Sequence, residues 1–184
     1  MGRAVHIALC LLLLAPSLCA QHQHDPLSDA EIDQLRDAAL DPPTRLKLYV
    51  DFARARLDAI DKARNDPKAA DRAGVTHDKL QEFLDIYDEM DDNIDNFDKR
   101  GDDLRNPLKA IIQADNEFQA KLRALHEGAM AAPAEASPYQ FLLSDALDDV
   151  DAATKDHRDL LAEQEDAVKH KKKAMSPAVP EEPR

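Results

Sequence analysis

The sequence predicts an all-α protein, an antiparallel four-helix bundle with a short additional N-terminal helix. Three observations carry this expectation. Leu80, Phe83, Tyr87, Met90, Ile94 and Phe97 are spaced 3, 4, 3, 4, 3, which lays six large side chains along one stripe of a helix, as in a coiled coil. After residue 20, glycine occurs only at 74, 101 and 128, and proline at 26, 42, 43, 67, 107, 133, 138, 177, 180 and 183. The long intervals free of both read as helices. No stretch alternates apolar and polar residues as a half-buried strand does. One apolar stripe does not offset the entropy of ordering a helix by itself, so the stripe at 80–97 needs partner helices. With aromatic residues at only 4% and no Trp, the core is expected to be mainly Leu, Ile and Ala.

Taken in order, residues 1–20 read as a secretory signal peptide. Arg3 supplies the positive start, Ala4–Ala15 is apolar apart from His6, and Pro16–Ala20 leads to a cut after Cys19 or Ala20. The apolar run is too short to span a bilayer, and no later segment approaches a transmembrane helix. Leu9 and Leu18 precede Cys10 and Cys19, where lipid anchoring would need a small residue. Export to the periplasm or the extracellular space is the expected localisation. Both cysteines fall in this segment, so a chain cut after Ala20 has no disulfide, thiolate metal site or thiol nucleophile.

Residues 21–27 read as a mobile leader and 28–173 as one helical domain, with 174–184 a disordered Pro-rich tail. A short helix at 28–39 opens on Ser28 and Glu31, which have capping-box spacing. Asp41-Pro42-Pro43 ends it and starts a helix at 43–64, with Leu46, Tyr49, Val50, Ala53, Leu57 and Ile60 as its stripe, widened by Leu48 and Phe52. The organising helix is expected at 76–100 with Thr76 as cap. Gly101 marks a corner before a helix at 104–127, where Asn106-Pro107 suits either a helix start or a kink. Its seam reads Leu104, Leu108, Ile111, Asp115, Phe118, Leu122 and Leu125, so one carboxylate sits on an apolar line. A small-residue loop from Gly128 to Ala136 leads to a second capping box at Ser137-Pro138-Tyr139-Gln140 and a helix at 138–172. That helix has the seam Leu143, Leu147, Val150, Thr154, His157, Leu161, Gln164 and Val168. It is longer than the others, so its far end is expected to project or to meet another subunit.

Formal net charge is −13, and one unit more negative without Arg3. Such a surface repels nucleic acid and anionic lipid, so nucleic acid is not an expected partner. Four groups are candidates for function. Asp85, Asp88, Glu89, Asp92 and Asp95 form an acidic ridge on the organising helix, and a hard divalent cation would relieve their repulsion. His22 and His24 follow the expected cut, where imidazoles and a free amine suit Cu(II) or Ni(II). Asp115, Thr154 and His157 are seam polars that form a buried, pH-responsive layer if they meet, or tilt to the core edge while Ala114 and Ala153 face inward. Lys169, Lys171, Lys172 and Lys173, with His170 among them, form a basic cluster that complements a helix C-terminus or docks on a polyanion or an anionic membrane face.

Enzymatic motifs are missing. The residues three before His77, His126, His157 and His170 are Gly74, Arg123, Thr154 and Ala167, not the Glu of di-iron bundles. There is no haem-attachment motif, Gly-rich phosphate loop or serine elbow, and no cofactor is expected. The sequence therefore points to an exported, non-enzymatic protein that acts through a protein partner or self-association, with extracytoplasmic divalent-cation binding as the alternative.

Overall fold

In the computed structural model the described residues are 25–175, with side chains described through Lys171. They are all-helical: α1 (Asp29–Asp37), α2 (Pro42–Asn65), α3 (Arg72–Lys99), α4 (Arg105–Ala131), α5 (Pro133–Ala136) and α6 (Gln140–Met175), with no strand among them. No helix in this range is long and apolar enough to cross a membrane. The segment 1–20, His22, His24 and the tail from 176 lie outside the described residues.

Helix ends follow local chemistry. Glu31 N donates to Ser28 Oγ at 3.4 Å and Ser28 N donates to Glu31 Oε2 at 2.8 Å, so the expected capping box opens α1. Asp41 and the two prolines open α2. At α3 the cap is Asp71, whose Oδ1 accepts from Gly74 N at 2.8 Å. Thr76, the expected cap, lies one turn inside, where its hydroxyl donates to Arg72 O. A Cβ at Gly74 would push the Asp71 carboxylate aside from its present position. Gly101, at φ +81°, closes α3. Gly101 N donates to Asp98 O and Asp102 N to Phe97 O, the paired bonds of a Schellman turn. Asn106-Pro107 thus belongs to a helix start and not to a kink: Pro107 sits in the first turn of a separate α4, whose cap position is Leu104 instead of Asn106, and its missing N–H costs nothing there.

The expected loop at 128–136 is instead mostly helical. Gly128 stays in α4, where a Cβ would come within 3.2 Å of Arg64 Nη2. Pro133 then starts the short α5, and Ser137 takes a helical conformation with its N–H bonded to Pro133 O, as the C-cap of α5. Arg64 holds this corner by donating to the hydroxyl of buried Tyr139 at 2.9 Å.

Cross-helix bonds give the directions. Arg45 to Asn93 and Arg56 to Glu82 make α2 and α3 antiparallel. Arg123 to Asp151 and Leu104 to Gln164 do the same for α4 and α6. By contrast, Arg54 to Glu117 and Lys121 to Asp58 run α2 parallel to its neighbour α4, and Asp91 to His157 and Asp98 to Gln164 run α3 parallel to α6. These pairings are compatible with a four-helix bundle. α1 runs back along α2, from Leu35 O beside Arg45 to Glu31 beside Arg56.

All six members of the organising stripe are buried, as are the stripe of α2 and the seam of α4, Asp115 included. α3 and α4 meet across the core through Phe83, Tyr87 and Phe118, whose rings pack edge to face at 5.5 and 6.3 Å. The packed part begins before α1, since Leu27 is buried and Pro26 O accepts from Arg56. At the other end α6 runs to Met175, two residues into the segment read as tail.

Candidate functional site: a buried charged bridge

Three helices deliver the site. Tyr87 and Asp91, one turn apart on α3, share the face that packs on α4 and α6. Asp115 comes from the middle of α4 and His157 from the middle of α6. His157 Nδ1 lies 2.9 Å from Asp115 Oδ2, and Nε2 lies 3.1 Å from Asp91 Oδ1. Tyr87 donates its hydroxyl to the other Asp115 oxygen at 2.8 Å. Asp115 is 0% exposed and His157 4%. One turn back on α6, Thr154 donates to Val150 O and accepts from Gln119 Nε2 at 3.1 Å.

Electrostatics follow from this geometry. Ionised carboxylates only accept hydrogen bonds, so an imidazole between two of them carries a proton on each nitrogen. Burial works against that charge, but the bonds to Asp115 and Asp91 and their negative charges outweigh it and lift His157 to about 9. Burial raises Asp91 above the usual carboxylate range against the pull of His157. Burial, then the charge of Asp115, pushes the Tyr87 hydroxyl well up, so it stays a donor. The bridge is a fixed salt link with net charge −1, and its raised histidine does not switch near neutrality. Three clefts lie elsewhere, one lined by Gln34, Asp41 and Leu48 among others, one by Gly101, Arg105 and Lys171, and one by Asp25, Arg56 and Glu82, and none of the three includes Asp91, Asp115 or His157.

Asp115 and His157 therefore meet in the core, with Thr154 buried one turn away on its own bond to Gln119, and Ala114 and Ala153 are buried too. Thr154, His157 and Gln164, the seam polars of α6, all make hydrogen bonds within the chain, Gln164 to Asp98, Asp102 O and Leu104 N. Tyr87, Asp91 and Gln119 complete the network and were not foreseen.

The acidic ridge is not a converging ligand set. Asp85 accepts from Gln81 and Asp95 from Lys99. Asp88 stands against Asp149 of α6, and both are raised above the usual range, chiefly by burial, with Asp149 adding to Asp88. Glu89 acts instead on Tyr49 of α2, and Asp92 is exposed. Successive ridge positions thus turn toward different neighbours. Among the described residues no group of three or more His, Cys, Asp or Glu side chains is placed to hold a metal ion. In the basic cluster, Lys169 pairs with Asp166 and Lys171 is exposed; the side chains of Lys172 and Lys173 lie outside the described ones.

A second polar centre was not foreseen. Arg56, 12% exposed, forks onto both oxygens of Glu31 at 2.7 Å and approaches Glu82 at 2.8 Å. The Arg56 bond holds Glu31 down to about 2. The capping-box spacing explains Glu31 locally and conceals this longer-range bond. Comparison with known proteins finds no match for this chain, whether among family models, curated proteins or solved structures.

Proposed function

We propose that this chain is an exported, non-enzymatic four-helix-bundle protein that works by contact with a protein partner or a second copy of itself. α2, α3, α4 and α6 form the bundle and α1 is its additional helix. One observation carries the reading: α6 has 36 residues, against 24, 28 and 27 for α2, α3 and α4. At about 1.5 Å per residue it outruns its partners by roughly two turns. Among the described residues its last side-chain bonds to another element are at Gln164 and Glu165, with Leu161 and Val168 half-buried and Lys169, His170 and Lys171 exposed. This leaves a helical end, basic on an acidic protein, free for a partner. The N-terminal segment supports export.

A photo-crosslinking amino acid at Lys171, introduced in the producing cell, tests this reading. Discrete adducts are expected from 171 and not from 47, an exposed control on α2. No adduct at 171, or the same adducts from both positions, would contradict it.

A further inference from the structure

We propose that the Asp91–His157–Asp115 bridge is an alkali-sensitive latch that holds the middle of α6 on α3 and releases it when the bridge loses its proton. The inference stands on the bridge's geometry and is independent of the partner reading. Every group facing His157 is an acceptor or is already committed. From α3 come Asp91 and Tyr87, the latter with its hydroxyl spent on Asp115; from α4 comes Asp115. Among the described residues, the two side chains bonded to the ring are carboxylates, which supply no replacement proton when ionised. A neutral imidazole has one N–H, so proton loss leaves one ring nitrogen facing a carboxylate, lone pair to lone pair.

The break has a direction. Asp115 is wholly buried, whereas the Asp91 side chain is 36% exposed, so water reaches the Nε2 side. α6 is also packed more extensively on α4 than on α3. Two turns toward the N-terminal end of α6, the exposed Asp149 bears a like charge that acts on the exposed Asp88 of α3. The imidazolium therefore holds closed a seam that like charges push open. Its raised affinity for a proton places release on the alkaline side, near 9.

Hydrogen–deuterium exchange on the chain as isolated from the producing cell, corrected for intrinsic rates at pH 7 and pH 10, tests the latch. Protection is expected to fall about tenfold per proton released per pH unit above the transition in the middle of α3 and α6, while α2 keeps its own. In Asp91→Asn the amide oxygen still accepts but the charge is gone, so the transition should move down by about one pH unit. In His157→Gln it should vanish. Equal protection at both pH values, simultaneous loss in α2, or an unmoved transition in Asp91→Asn would overturn the proposal. If His157→Gln does not fold, the parent and Asp91→Asn decide.

Discussion

Asp115 has the most at stake of any single residue, because it satisfies two buried groups at once. Replacing it with Ala leaves a buried imidazolium short of a partner and strands the Tyr87 hydroxyl. Breaking one side of a buried ion pair costs about 3–5 kcal/mol, so Asp115→Ala should lower the melting temperature by about 6–20 °C at about 2–4 °C per kcal/mol, read by circular dichroism. Tyr87→Phe removes a single bond to a charged acceptor and should cost about 1.5–3 kcal/mol in urea unfolding. The sequence made half of this visible. Asp115 and His157 stood out because a charge on an apolar seam needs an explanation, whereas Tyr87 passed as an apolar stripe residue. Its ring does pack on Phe83 at 5.6 Å, and only the fold reveals where its hydroxyl goes. Asp91 was hidden by its acidic neighbours, since periodicity does not tell which member of an Asp-rich run turns inward.

At the scale of the element, the helices were legible where side-chain spacing specifies them and less so at their ends. The stripes of α2, α3 and α4 were readable because burial at 3- and 4-residue intervals is a property of the sequence alone. Ends depend on competition between caps. Thr76 lost to Asp71, and Ser137 lost to a helix begun by Pro133. Gly101 is the exception, since its positive φ is a local requirement; Gly101→Ala should cost about 1–2 kcal/mol in equilibrium unfolding. α1 depends on Arg56. Glu31→Gln should destabilise by about 1–3 kcal/mol at pH 7, seen as lost protection of α1. Because Glu31 is lowered when folded, its contribution is present above the ordinary value near 4.5 and is lost as pH falls toward 2.

For the molecule as a whole, the all-helical class followed from punctuation and periodicity, but helix order did not. Nothing in a single stripe reveals that α2 neighbours α4 in parallel, or that α3 and α6 share a seam on which carboxylates oppose one another. That neighbour choice makes one histidine the tie among three helices. His157 is raised from 6.5 to about 9, so its contribution is fully present below about 6.5 and is lost as pH rises through about 9. The most direct measurement is a ring-nitrogen NMR titration of His157 in the intact protein. Both nitrogens should be protonated at pH 7, with a midpoint near 9. A neutral single tautomer at pH 7, titrating near the ordinary histidine value of about 6.5, would contradict the bridge.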